Sequence, residues 1–121
     1  MPDAPKRIQR SRVKGSRLPP NTICVTRPGP FGNLYHIDQH TQSGHWFVQG
    51  PGIGPFGRPC GNKEGAQLVA VKLDREWIMR PEQAAYRDRV RDELRGKNLA
   101  CWCGAGMPCH ADVRLEIANA E

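Results

Sequence analysis

The stretch "LACWCGAGMPCHADV", residues 99–113, constrains the fold most, because it predicts a strand, a turn and a helix in direct succession. The apolar run at its start is typical of a short buried strand. Glycines interrupt the chain after that run, and Pro108 suits the first turn of a following helix. Three of the five cysteines of the chain lie in this stretch. The same residues therefore predict a βα unit and a concentration of metal-ligating side chains.

The spacing of these cysteines favours a zinc site. Side chains two apart on a strand share a face, so Cys101 and Cys103 point together, whereas Ala100 and Trp102 are expected to pack on the other face. Their Cα atoms would be about 6.5–7 Å apart, which is too far for an easy disulfide. We therefore expect a Zn²⁺ ion. Its predicted ligands are Cys101, Cys103, Cys109 and His110, with Cys60 as an alternative fourth ligand.

Two other interpretations of the cluster stay open. A thiolate at a helix N-terminus is stabilised by backbone N–H groups, so Cys109 could be a nucleophile with His110 as base and Asp112 as the residue that orients it. In this interpretation Cys109 and Asp112 are the catalytic candidates. Alternatively the cysteines are small apolar residues that only pack.

Basic residues are concentrated near the N-terminus of a chain whose formal net charge is +6. Residues 6–17, "KRIQRSRVKGSR", hold six basic side chains and no acid. Such a block suits a polyanion, because each phosphate contact releases counterions, although many basic termini are only solubilising tails. We expect residues 1–18 to form a basic arm and residues 19–121 a single α/β domain. The arm residues expected to contact phosphate are Arg10, Arg12, Lys14 and Arg17.

A second candidate surface follows the first predicted strand of the domain. In "TRPGPFGN" the glycines let the backbone approach a ligand closely, Arg27 can meet a phosphate, and Asn33 can hydrogen-bond either a base or a backbone turn. The plain alternative is an ordinary turn. Because ligands bind at the carboxyl ends of strands in α/β sheets, Arg27 to Asn33 and Cys101 to His110 could line one pocket.

The remaining pattern predicts an α/β fold with a short sheet flanked by helices. A hairpin with Ser43-Gly44 at its turn is expected first. Residues 50–65, with six glycines and three prolines, predict a long loop. Helical periodicity starts near Ala66, a second, charged helix ends at Gly96, and the strand after it is expected inside the sheet.

The chain lacks the run of about 20 apolar residues that a membrane span needs, and it lacks a secretory signal. We therefore expect a cytoplasmic protein without a membrane partner. In that reducing setting, five cysteines are expected to be thiols or metal ligands rather than disulfides.

Five pieces of the chain carry a family likeness: Ile8–Arg12, Pro19–Thr22, Arg27-Pro28, Gly32-Asn33 and Leu94–Asn119. Together they resemble the family called domain of unknown function 4326, small uncharacterised domains of bacteriophages and bacteria. The chain departs from the family pattern in its middle, where Leu34 follows Gly-Asn and a Gly/Pro-rich insertion occupies residues 39–62. The resemblance implies a viral or bacterial intracellular setting, hence the host cytoplasm for a viral protein. The closing Cys…Cys-His pattern is also similar to that of another uncharacterised α/β family, and this likeness implies a Rossmann-like sheet.

These patterns favour a phage-type domain that interacts with nucleic acid or a nucleotide through a zinc-bearing Cys/His site. If the domain is an enzyme, nucleotide or DNA-base modification is the expected class, with either zinc-activated water or Cys109 as the nucleophile. A second hypothesis is a viral interaction module that binds a host factor, with purely structural cysteines.

Overall fold

The computed structural model describes residues 4–27, 29–54, 57–103 and 106–120. These residues form two three-stranded sheets and three α-helices, which confirms the predicted α/β class. The strands are β1 (Arg7–Gln9), β2 (Thr22–Cys24), β3 (His36–Gln39), β4 (Trp46–Gln49), β5 (Arg58–Gly61) and β6 (Asn98–Cys101). The helices are α1 (Lys63–Ile78), α2 (Ala84–Leu94) and α3 (His110–Ala118), with a short 3₁₀ helix at Pro81–Gln83 before α2.

The first sheet is parallel, in the order β1-β6-β2, so the last strand lies in its centre as predicted. Leu99, Ala100 and Cys101 of β6 are buried. Because all three strands run the same way, their carboxyl ends meet at one edge. There the backbone N–H of Arg10 donates to the carbonyl of Cys101 at 2.7 Å. The segments that follow β1, β2 and β6 are therefore neighbours.

Strand β1 belongs to the segment that was expected to be a basic arm. Its Ile8 pairs with Ala100 of β6. The guanidinium of Arg7 donates to the carbonyl of Met107 at 2.7 Å and to Asp112 Oδ2 at 3.0 Å. A three-residue strand with one apolar side chain is too short for periodicity to reveal it. Residues 1–18 thus include an edge strand of the sheet; residues 1–3 lie outside the described part.

The second sheet is antiparallel, in the order β3-β4-β5. Its first two strands confirm the predicted hairpin, and Gly44 supplies the positive φ (+74°) at the turn. The long loop predicted for residues 50–65 is wrong in its second half, because residues 58–61 form β5 and α1 begins at Lys63. Edge position and an irregular register make Pro59 tolerable in a strand. Pro55 and Phe56 lie outside the described residues.

Each sheet has its own core. Leu99 packs with residues of α2 and α3, including Val90 and Val113, whereas Tyr35 and Val48 pack with Ala70 and other residues of α1. Trp77 of α1 contacts both clusters. Helix α1 therefore lies on the antiparallel sheet and also connects it to the first core.

Helix α3 begins at His110, two residues after Pro108, which was expected in its first turn. Cys109 is its N-cap, and its Sγ accepts a hydrogen bond from the backbone N–H of Ala111 at 3.4 Å. Pro108 therefore precedes the helix rather than occupying its first turn. Gly96 follows α2 with φ +76°, as the predicted helix end requires. Among the described residues, no helix combines the length and apolar character of a membrane span.

Candidate metal centre

Three cysteine sulfur atoms converge where β6 ends and α3 begins. The Sγ atoms of Cys101, Cys103 and Cys109 all lie within 4.8 Å of one another. Two sulfurs on one tetrahedral zinc are about 3.8 Å apart, so a small adjustment would suffice to coordinate an ion. Cys101 and Cys109 are buried and Cys103 is half-buried. The structure thus brings together three of the four predicted ligands, which we call the cysteine trio.

The three sulfurs lie close enough together to shift one another's pKa values. The thiols of Cys103 and Cys109 lower the pKa of Cys101 to about 2. The proximity of Cys101 in turn raises the pKa of Cys103 and that of Cys109. One thiolate is therefore shared by three sulfurs and is centred on Cys101 rather than on the predicted nucleophile, Cys109. Ionising all three at this spacing requires a cation between them.

His110 lies beside the trio but outside it. Its Nε2 is 2.5 Å from the carbonyl oxygen of Val25, and its Nδ1 is 3.8 Å from Cys109 Sγ. Burial lowers the pKa of His110, so the ring is neutral near pH 7. With the proton on Nε2 and donated to Val25, the lone pair of Nδ1 is on the sulfur side. A backbone carbonyl that fixes the tautomer in this way is common for metal-binding histidines.

Two other predicted participants lie elsewhere. Asp112 forms an ion pair with Arg7 across 3.0 Å, whereas the histidine it was expected to orient contacts Val25 and Cys109. Cys60 packs in the core of the antiparallel sheet, and its thiol donates to the carbonyl of Arg58 at 3.2 Å. Cys60 is therefore not the fourth ligand in this arrangement. Both outcomes depend on long-range packing that local spacing does not reveal.

A cavity of about 750 Å³ adjoins the trio. All three cysteines line it, together with His36 of β3 and Lys63 of α1. Arg27, Asn33 and His110 line it too, so the two segments expected to share a pocket do so. The cavity lies at the carboxyl edge of the parallel sheet, where ligands bind in open α/β folds.

In the turn after β2, Arg27 is exposed, whereas Asn33 is buried and hydrogen-bonds the protein backbone. The Asn33 amide donates to the carbonyl of Ala70 at 3.2 Å and accepts from the backbone N–H of Tyr35 at 2.8 Å. Asn33 thus holds the turn against α1, which is the backbone-turn role that was predicted as an alternative, and its role as a phosphate ligand stays a prediction. A Cβ on Gly32 would lie 2.7–3.0 Å from Arg27 atoms, which explains the glycine. Arg27 is exposed, and no side-chain hydrogen bond is recorded for it within the described residues.

Sequence reasoning missed Arg7 and misplaced Trp102. Positive charge on Arg7 lowers the pKa of both Cys101 and Cys103, so it favours thiolates in the trio. Trp102, expected to be packed, is 39% exposed because β6 ends one residue before it. The concentration of basic residues around Arg7 in the sequence could have indicated that Arg7 belongs to the site. Nothing local indicated that the strand would stop at Cys101.

A family model described as a domain of unknown function (DUF4326) matches residues 8–120. The match includes the trio and the residues that line the cavity. No curated protein and no solved structure matches the chain.

Proposed function

The chain belongs to the DUF4326 family, and we propose that its cysteine trio is a zinc centre serving a nucleotide or nucleic-acid ligand in the adjoining cavity. One observation carries the proposal: three sulfurs within 4.8 Å of one another line the same cavity as exposed Arg27 and Lys63. A cation-binding donor set and anion-binding side chains thus face one space.

The donor set favours zinc over harder divalent ions. Thiolates bind Zn²⁺, whereas Mg²⁺ and Ca²⁺ prefer oxygen ligands. Arg7 lies close enough to offset the excess negative charge of three thiolates on a divalent ion. Three protein ligands leave a fourth position, which either an exogenous group or His110 Nδ1 would fill. Zinc with an open position supplies Lewis acidity to whatever enters the cavity.

The nucleotide part of the proposal is supported by size and charge. Pockets for small ligands and cofactors are typically about 300–1,000 Å³, and this cavity is about 750 Å³. Arg27 and Lys63 line it, and Arg10 follows β1 at the same sheet edge. These cations suit a phosphate. Nucleotide or base modification is the reaction class that such a centre would serve, within the bacterial cytoplasm, or the host cytoplasm for a viral protein, that the family resemblance implies.

Metal analysis of protein purified under reducing conditions tests the zinc centre. We expect about one zinc per chain, and much less after Cys101→Ser, Cys103→Ser or Cys109→Ser, because each change removes one ligand. Cys60→Ser is the matched control, since Cys60 lies in the other core, and it should retain the metal. Metal-free wild-type protein that takes up no added zinc would contradict the proposal.

His110→Ala then identifies the fourth ligand. If the variant keeps zinc, Co²⁺ is substituted for zinc and its absorption is measured while thiol or imidazole is added. A change in absorption would indicate a three-cysteine centre with an open position that faces the cavity. Loss of zinc would indicate that Nδ1 completes the site, as the sequence predicts, and that the centre is structural.

A cysteine nucleophile is the second candidate, favoured by the position of Cys101 on the cavity wall and by its lowered pKa. It predicts that iodoacetamide modifies Cys101 before Cys109 in metal-free protein near neutral pH. Modification of none of the three trio cysteines would exclude a reactive thiol in this cluster. The host-factor hypothesis stays a prediction.

A further inference from the structure

Two arginines stack on an exposed tryptophan beside the cavity. The Cζ atoms of Arg10 and Arg12 lie 4.3 and 4.2 Å from the centroid of the Trp102 ring system. Trp102 also lines the cavity and lies between two residues of the trio. We call these three side chains the Arg-Trp-Arg stack.

Stacking on an indole holds a guanidinium in place while leaving the N–H donors at its edge available. Arg10 uses one of them on Thr26 Oγ1 at 3.2 Å, and Thr26 lines the cavity. Arg12 is exposed, and its guanidinium forms no hydrogen bond or ion pair with the described part of the chain. The stack therefore presents preorganised donors for an anion at the cavity.

Backbone contacts fix the position of the stack relative to the trio. The Arg10 N–H donates to the Cys101 carbonyl at 2.7 Å, so the chain leaving β1 passes the end of β6. From there the exposed segment continues through Lys14 and Arg17, which add positive charge outside the cavity. Exposed cations that do not line the cavity thus follow the stack along the chain.

We propose that the Arg-Trp-Arg stack binds the phosphodiester backbone of a single-stranded nucleic acid, one nucleotide of which enters the cavity. The inference rests on the proposed function in that the cavity is taken as the ligand site. It names the ligand as a strand rather than a free nucleotide, because cations beyond the cavity would contact phosphates that a mononucleotide lacks.

Single-stranded rather than duplex nucleic acid fits these features. Reading a duplex through its major groove takes a helix or a two-stranded ribbon, whereas residues 10–17 form neither. A base stacked within a duplex cannot reach a concave site, but an unpaired base can. Aromatic and cationic side chains beside a groove are typical of single-strand binding.

Fluorescence anisotropy with a labelled strand of about 12 nucleotides tests the inference. The strand is supplied as DNA and as RNA of the same sequence, and as the corresponding duplex. We expect either single strand to bind at least about tenfold more tightly than its duplex. Arg12→Gln should weaken single-strand binding about fivefold and reduce the salt slope of log K by about 0.7, the value for one phosphate contact.

Arg80→Gln is the matched control, because Arg80 is exposed and does not line the cavity. It should change the affinity less than twofold, whereas Trp102→Leu should weaken binding about tenfold by removing the support of both arginines. Zinc content is measured on every variant to show that the site is retained. Arg12→Gln alone keeps the test decisive if Trp102→Leu fails to fold.

The two proposals fail separately. Zinc-loaded protein that binds no single strand, that binds the duplex equally well, or that treats Arg12→Gln like Arg80→Gln would overturn the single-strand inference and leave the zinc centre standing. Protein that takes up no zinc but binds the strand through Arg12 would overturn the zinc centre and leave the single-strand inference standing.

Discussion

Asp74 of α1 and Arg114 of α3 form an ion pair in which neither side chain is more than 1% exposed. The guanidinium contacts both carboxylate oxygens, at 2.5 and 2.8 Å, and the carbonyl of Gly32 at 3.5 Å. A buried cation that loses its partner is left uncompensated. Asp74→Asn should therefore lower the free energy of unfolding by about 3–5 kcal/mol, measured by urea titration.

Glu116→Gln is the control for Asp74→Asn, because it makes the same change in an exposed ion pair between the same two helices. Glu116 contacts Arg75 at 2.6 Å, but both side chains are about half exposed (58% and 48%). Solvent screens that pair, so the expected cost is below about 1 kcal/mol. Equal losses in the two variants would contradict the assignment of Asp74–Arg114 as a buried structural pair.

At the scale of elements, β1 decides whether the basic segment is an appendage or part of the sheet. Deleting residues 1–9 removes the hydrogen bonds of β1 to β6 and the contacts of Arg7 with Met107 and Asp112. We expect a loss of about 2–4 kcal/mol in the free energy of unfolding, together with weaker zinc retention. Urea titration and metal analysis measure both effects.

Deleting only residues 1–5 is the matched control, because it keeps Lys6, whose carbonyl accepts from the Leu99 N–H at 3.0 Å, and keeps all of β1. This shorter deletion should change stability by no more than about 0.5 kcal/mol. If both deletions are equally harmless, the segment is a dispensable arm, as its composition alone suggests.

At the scale of the whole molecule, the trio links the centre of the parallel sheet to α3, and Trp77 links the two hydrophobic cores. Zinc at 100 times its Kd should therefore stabilise the entire chain by about 2.7 kcal/mol in a single calorimetric transition. Cys101→Ser should abolish this shift. Two transitions, of which only one responds to zinc, would show that the sheets unfold independently.

Features that depend on neighbouring residues could be predicted from the sequence, whereas features that depend on residues distant in the chain could not. The hairpin at Gly44, the end of α2 at Gly96 and the shared face of Cys101 and Cys103 depend on φ and on strand alternation, which neighbouring residues determine. Strand β5 was missed because its proline and glycines are typical of a loop and only pairing with β4 makes them a strand. The roles of His110 and Asp112 depended on Val25 and Arg7, which are 85 and 105 residues away along the chain.

By itself the sequence determined the α/β class, the central position of the last strand and the cysteines that could share an ion, because periodicity, glycine and proline act locally. Tertiary structure alone decided that β1 joins the sheet, that Asn33 is used internally and that Trp102 stays exposed beneath two arginines. The reason is physical. A side chain's hydrogen-bond partner and its exposure are properties of the residues that folding brings to it, and those residues are distant in the chain.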